Sequence, residues 1–386
     1  MKKKIVGVVS VGRSDAGIYQ SVLSNIQNSK LLDLRLYVTG GHLASEFGNT
    51  WQDFEKTGIP IYRKIVSTLA SDTPEAISKS IALTTLGFAE SFADSTPDCL
   101  LILGDRYEMM GAALAAMPFV LPIGHIHGGE TTEGAIDEAI RHSLTKLSHV
   151  HFATTEAYGN RIIQLGEEPW RVHVVGAPAL DTILNSERLC DDISFDTNKP
   201  FILCTYHPVT LEYKETAQEF QKILNSLQSI GLPVIFTYPN TDTNGRLIIK
   251  MIKEFLISNK TSLAFDHLGI KRYSTLMHKA SVVVGNSSSG IIEAGSFPTP
   301  VVNIGDRQKG RICGKNVIST ACVENDIVIS IRKALSLDFK NAIKEMENPY
   351  GDGNAAVKIV EVLENLIIDQ RLTMKKFHDL NIKKGH

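Results

Sequence analysis

Cysteine is scarce and scattered: Cys99, Cys190, Cys204, Cys313 and Cys322 are the five in a chain of 386 residues. None forms a C-x-x-C pair, so neither a disulfide framework nor a zinc site is indicated, and reduced structural thiols are expected. Charge of one sign is also missing. Lys plus Arg number 40 against 42 Asp plus Glu, a formal net charge of −2. No global basic field therefore draws in nucleic acid or an anionic membrane. The lysines at the two ends (Lys2–Lys4, and Lys375, Lys376, Lys383 and Lys384) read as solvated termini. Ile5–Val11 is too short and too β-branched for the apolar core of a signal peptide, so a cytoplasmic protein is expected. One long uncharged run, Met109–Ile126, is interrupted by Pro118 and Pro122. It reads as a buried helix followed by a buried strand rather than a membrane span.

What is present is ordinary in amount, with 43% hydrophobic and 21% charged residues, and distinctive in order. Short β-branched runs alternate with longer helical patterns, the signature of parallel α/β architecture. In the first half the expected strands are Lys4–Ser10, Asp33–Thr39, Cys99–Leu103, Leu121–Ile126, His149–Thr154 and Val172–Val175. Their near-continuous apolar character suits strands covered on both faces. A polar segment from Asn185 to Lys199 reads as a linker, after which the pattern restarts. Phe201–Tyr206, Val234–Tyr238, Ser262–Phe265, Ser281–Gly285 and Pro300–Ile304 form the second set. Helices are expected at Thr73–Ala93, Gly134–Leu147, Glu215–Ile230, Leu247–Ser258, Tyr273–Lys279 and Ala355–Ile368. The expectation is two doubly wound domains, 1–180 and 181–365, with a tail at 366–386. Ligands of such sheets bind at the carboxyl ends of the strands, here in a shared cleft.

Polar residues concentrate where those strands end. Gly12-Arg13-Ser14-Asp15-Ala16-Gly17 follows the first strand. Backbone N–H groups at such a turn suit an anion, and Arg13 adds a fork-shaped donor. An ordinary turn capped by Asp15 is the alternative, and the segment does not complete a dinucleotide fingerprint. Gly104-Asp105-Arg106 ends a buried strand with an acid and a base. Next comes His125-Ile126-His127-Gly128-Gly129-Glu130, followed by Asp137, Glu138, Arg141 and His142. Polar groups this dense beside an apolar strand need a ligand or one another. The i, i+2 spacing of His125 and His127 leaves a metal conceivable, but the mixture of charges fits a general acid–base cluster better. No metal or redox cofactor is expected. Tyr206-His207-Pro208 opens the second half. Gly285-Asn286-Ser287-Ser288-Ser289-Gly290 carries a buried strand into a hydroxyl-rich helix start suited to a diphosphate. Glu293 lies one turn later, where a carboxylate can take a ribose diol, and Arg307 follows the next strand.

Together these segments, with Asn303-Ile304-Gly305-Asp306-Arg307-Gln308-Lys309-Gly310-Arg311, resemble the UDP-N-acetylglucosamine 2-epimerase family, within it the hydrolysing branch. They span most of the chain in the family's order. The resemblance implies the two-domain fold of GT-B glycosyltransferases. It implies UDP contacts at Arg13, Gly17, Arg106, His207, Asn240, Arg246, Ser287, Ser288, Glu293 and Arg307, with Asp266, His267 and Leu268 around the uracil. Asp105, Glu130 and Asp137 become the catalytic carboxylates, Asp137 held by Arg141, with His127 beside them and His42 facing the sugar. His127 stands where many sialic-acid-type relatives carry Glu, and Gly17 where some carry Ser. The reaction implied is anti elimination of UDP across C1–C2, then addition of water to the glucal. The primary expectation for the substrate is UDP-N-acetylglucosamine, releasing N-acetylmannosamine; UDP-N,N′-diacetylbacillosamine is the alternative. Non-hydrolysing epimerisation, glycosyl transfer and nucleotide-sugar sensing are the rival readings, and a homodimer or homotetramer is expected.

Overall fold

A computed structural model describes residues 2–44, 49–69, 73–132, 136–185, 194–208, 215–239, 245–266 and 268–380. The chain divides into two compact units. One comprises residues 1–130, 135–182 and 350–386; the other comprises 131–134 and 183–349.

The first unit is built on a sheet of β1 (Lys4–Ser10), β2 (Leu32–Val38), β3 (Ile61–Lys64), β4 (Cys99–Leu103), β5 (Ile123–Ile126), β6 (Val150–Ala153) and β7 (Val172–Val174). The order is β3-β2-β1-β4-β5-β6-β7, with every pairing parallel. The second sheet holds β8 (Ile202–Thr205), β9 (Val234–Thr237), β10 (Leu263–Phe265), β11 (Val282–Gly285), β12 (Val301–Ile304) and β13 (Val317–Thr320). Its order, β10-β9-β8-β11-β12-β13, is again wholly parallel. Both repeat the doubly wound order whose direction reverses between the first and fourth strands, the position at which such sheets take ligands.

Burial follows the apolar runs. Every residue of β4, β5, β6, β8, β11 and β12 is buried, as expected of central strands covered on both sides. The two strands absent from the sequence reading are β3 and β13, each at a sheet edge. Their four residues alternate between exposed and half-buried or are mostly half-buried, so their sequences lack the continuous apolar run that marks the others.

The division of the chain differs from the sequence reading in one respect. The helix Ala355–Asn365, expected in the second domain, belongs to the first unit. Ala356, Ile359, Val360 and Leu363 join the core that contains Val6, Ile26 and Leu32. The reason is a set of matched polar ends. Asp181 accepts the N–H groups of Ala355 (2.9 Å) and Ala356 (2.5 Å), capping the helix. Lys4 donates to the carbonyls of Leu363 (2.7 Å) and Leu366 (2.5 Å) at its far end. The segment beyond is anchored by Arg171, fully buried, which donates to the carbonyls of Leu372 and Arg371. No described helix is long and apolar enough to cross a membrane.

Candidate active site

In the first unit the polar residues gather at the carboxyl ends of β4 and β5. Gly104 turns the chain after β4 with φ +69, and its carbonyl accepts Nε2–H of His125 at 2.8 Å. Nδ1 of His125 lies 3.3 Å from Thr145 Oγ1. Burial holds this ring near pKa 3, neutral throughout the ordinary range. His125 is thus committed to the turn, and a two-histidine metal site with His127 is not formed; no group of three or more His, Cys, Asp or Glu side chains placed for a metal occurs among the described residues.

The turn presents Asp105, which is ion-paired to Arg141 on the helix Ile136–Leu147. Arg141 is buried, and its other terminal nitrogen donates to the carbonyl of His127 at 2.8 Å. One guanidinium therefore fixes Asp105 relative to the His-Gly-Gly-Glu turn. Asp137, one turn before Arg141 on the same helix, has its pKa raised by burial and then by the charge of Asp105. That is the expected direction for two carboxyls sharing a site, in which the charge of one makes the other harder to ionise. His127 adopts φ +64, rare for a side chain with a β-carbon. Its Nδ1 lies 2.6 Å from Glu130 Oε1, which also accepts from Thr154 Oγ1 at 2.9 Å. Gly129, at φ +75, has no room for a side chain, since a Cβ would stand 2.4 Å from the carbonyl oxygen of Tyr158.

Arg106, half exposed, leans on buried Glu108 at 3.4 Å. Against the lowering effect of burial, Glu108 and Asp15 raise its pKa, so it stays a cation. Asp15 itself is buried and accepts the N–H of Val11 at 3.0 Å, capping the turn as the alternative reading allowed. Arg13 is exposed in the first turn of the helix Arg13–Asn28, with Gly17 behind it.

His42 differs from its expected role. It has no exposed surface; Ser10 Oγ lies 2.9 Å from Nε2 and Thr50 Oγ1 lies 2.7 Å from Nδ1. With both nitrogens taken up by hydroxyls and its ring packed on Phe54, His42 is a core residue that ties β1 to the loop after β2.

In the second unit the ends of β8, β11 and β12 meet around one side chain. Asn286 accepts the N–H of His207 (2.7 Å) and donates to the carbonyl of the same residue (2.8 Å). Its own carbonyl accepts from Arg307 Nη1 (3.0 Å) and Gln308 Nε2 (2.9 Å). His207 is buried, and burial reinforced by Arg307 takes its pKa down to about 3. Ser287 caps the short helix Ser288–Ile292, its Oγ 2.9 Å from Ser289 Oγ, which in turn meets Tyr273 OH at 2.7 Å. Ser288 stands half-exposed at the start of that helix. Glu293 lies beside Tyr273, whose pKa rises to about 12 through burial and the neighbouring carboxylate. Burial alone lifts Glu293 to about 7. Arg246 is exposed in the first turn of the helix Gly245–Ser258, Asp266 is exposed after β10, and Leu268 is buried. Asn240 and His267 lie outside the described residues.

Sequence reading singled out the strand ends and missed what braces them. In the sequence Asn286 is one letter of a motif, and nothing local marks Thr154, Gln308 or Tyr273. Each owes its importance to a neighbour distant in sequence, for which no local pattern exists.

A family model described as UDP-N-acetylglucosamine 2-epimerase matches residues 24–364. The chain is 39% identical, over 98% of its length and 100% of the relative's, to a GDP/UDP-N,N′-diacetylbacillosamine 2-epimerase (hydrolyzing) of Campylobacter jejuni. It is 37% identical, over 97% and 99%, to a UDP-N,N′-diacetylbacillosamine 2-epimerase (hydrolyzing) of Legionella pneumophila. The fold is that of a UDP-GlcNAc 2-epimerase from Neisseria meningitidis, with TM-score 0.78, 21% identity and coverage of 94% of this chain and 100% of that one. The acid–base cluster, the serine turn and these full-length likenesses coincide: the chain belongs to the UDP-N-acetylglucosamine 2-epimerase family, as an enzyme of its hydrolysing branch.

Proposed function

We propose that the protein is the hydrolysing 2-epimerase of UDP-N,N′-diacetylbacillosamine, releasing UDP and the free 2-epimerised sugar. The carrying observation is the full-length identity of 39% and 37% to two relatives named for that substrate. It favours the alternative of the sequence reading over UDP-N-acetylglucosamine. The product is the kind of amino sugar consumed in making a legionaminic-type acid. In this reading the reaction runs in the cytoplasm, in a homodimer or homotetramer. The exposed Leu114, Met117, Phe119 and Val120 of the first unit favour such self-association.

The second unit supplies the nucleotide groups. Ser287, Ser288, Arg307 and Arg246 take the diphosphate. Neutral His207, held by Asn286, donates to an oxygen of the departing diphosphate rather than repelling its counter-charges. Asp266 and Leu268 take the base. The first unit supplies the proton chemistry. A base removes the weakly acidic C2 proton as the C1–O bond breaks, UDP leaves, and water adds to the resulting 2-acetamidoglucal. Asp137, whose pKa burial and the charge of Asp105 raise, is assigned as the proton donor.

Both donor sugars assayed in parallel test this reading. A kcat/KM at least about tenfold higher for the diacetylbacillosamine donor is expected, the discrimination supplied by about 1.4 kcal/mol of differing pocket contacts. Preference for UDP-N-acetylglucosamine, or a product still joined to UDP, contradicts it.

Glu293 gives a second expectation. Both hydroxyls of a ribose diol can donate to the two oxygens of this carboxyl only when it is ionised, and burial pushes its pKa up to about 7. Protonation therefore competes with the nucleotide. UDP affinity is expected to level off above about pH 8 and to fall toward tenfold per pH unit below about 7. Glu293→Gln binds more weakly and loses that component, leaving only the titration of UDP itself. Calorimetry on both proteins gives the difference, and identical slopes refute the role.

A further inference from the structure

Glu130 and His127 are both acid–base candidates, yet their geometry separates them. Glu130 is buried, with 2% of its surface exposed, and one oxygen already receives two partners, His127 Nδ1 at 2.6 Å and Thr154 Oγ1 at 2.9 Å. A carboxylate so engaged selects the tautomer of the ring: Nδ1 carries the proton and Nε2 the lone pair. Nε2 is buried and has no hydrogen-bond partner among the described residues. Leaving such an atom unmatched costs about 1–3 kcal/mol. The backbone adds a second cost, since His127 holds φ +64. That conformation is secured from outside the turn: His127 N–H donates to Phe152 O at 3.2 Å, and its carbonyl receives Arg141, the partner of Asp105. Glycine at 128 and 129 lets the turn close on Thr145 and Tyr158. Strain and an unmatched lone pair at a site braced on every side point to a group prepared for a ligand.

We propose that Nε2 of His127 is the atom that takes the C2 proton, and that Glu130 and Thr154 are positioning residues acting through it. This rests on the epimerase reading above. In the step, the C2–H proton passes to Nε2, its electron pair becomes the C1=C2 double bond, and the C1–O pair leaves with UDP. The imidazolium formed is matched by Glu130 and returns its proton to solvent before the next turnover. The other charged or titratable groups around the ring are Arg141 and His125, the latter locked neutral on Gly104.

The positions of the pH optimum test the relay. Glu130→Gln removes the charge that stabilises the imidazolium, so the histidine becomes less basic. The optimum of kcat is expected to move to lower pH, with kcat falling about 10–100-fold and KM little changed. Thr154→Val acts oppositely: losing a donor makes Glu130 a stronger partner for the imidazolium, and the optimum moves to higher pH with a fall in kcat of only a few-fold. His127→Gln loses about 10²–10⁴ in kcat. UDP affinity and thermal midpoint, measured on all three, identify any variant that is merely misfolded, in which case Thr154→Val carries the test. Native-like kcat in His127→Gln, or optima that move together or not at all in the other two, overturns the assignment. Turnover by the unaltered enzyme is the control: if it releases no UDP from either donor, the epimerase reading has failed and not the relay.

Discussion

Asp105→Asn is expected to lower kcat by about 10²–10⁴, the range of a positioned acid–base group, while leaving the affinity for UDP within about twofold. Two effects combine. Asparagine cannot form the ion pair with Arg141, and Arg141 also holds the carbonyl of His127, so both members of the proton-transfer apparatus lose a fixed support. The charge of Asp105 is also one of the causes that raise the pKa of Asp137, after burial. Neutralising it makes Asp137 a stronger acid, so the proton donor is depleted at lower pH and the pH optimum moves down. The nucleotide groups of the second unit are untouched, so binding and chemistry part company. Steady-state kinetics over a range of pH, with calorimetry for UDP, separate them. Native-like turnover at every pH removes Asp105 from the mechanism; a parallel loss of UDP affinity makes it a binding residue instead.

Gly285→Ala is expected to have the largest effect on the second unit. Gly285 ends β11 with φ +139, and a Cβ built there stands 1.9 Å from the carbonyl oxygen of Thr205 on β8. That oxygen belongs to the backbone of the adjacent strand and already receives the N–H of Asn286 at 3.2 Å, so no side chain can yield to relieve the clash. The strands must part where Asn286 joins His207 to Arg307. Destabilisation beyond about 4 kcal/mol, the upper tail for single substitutions, and loss of measurable UDP binding are expected. Gly104→Ala is the matched comparison. Gly104 also has a positive φ, +69, but an added Cβ meets nothing within 4 Å. Only the left-handed backbone cost of about 1–2 kcal/mol applies there. Thermal unfolding of the pair decides, and equal losses contradict the steric account.

The central strands could be read from the sequence because burial on both faces writes itself as uninterrupted runs such as Cys99–Leu103 and Val282–Val284. The edge strands β3 and β13 could not, since Ile61–Lys64 and Val317–Thr320 carry no buried apolar run. The strand-end motifs were legible for a related reason: polar residues have no cause to follow a buried strand unless something occupies them. Asp105, His127, Glu130 and Arg141 accordingly do lie together. What the motifs could not carry is division of labour. Nothing in the letters separates His42, whose two nitrogens are satisfied by Ser10 and Thr50, from His127, whose Nε2 is left over. Thr154 and Asn286 are equally silent, because a hydroxyl or an amide becomes important only through what the fold sets beside it. The helix Ala355–Asn365 showed its apolar stripe plainly but not which core would receive it.

That last point bears on how the chain is made. The first unit takes its N-terminal cap, Asp181, early, but the helix that Asp181 caps comes from the other end of the chain. During synthesis the sheet of β1–β7 emerges with the surface over Val6, Ile26 and Leu32 still uncovered, and it stays so while the whole second unit is translated. The first domain to leave the ribosome is therefore the last to be finished, and the second, whose residues all lie between 131 and 349, can mature ahead of it.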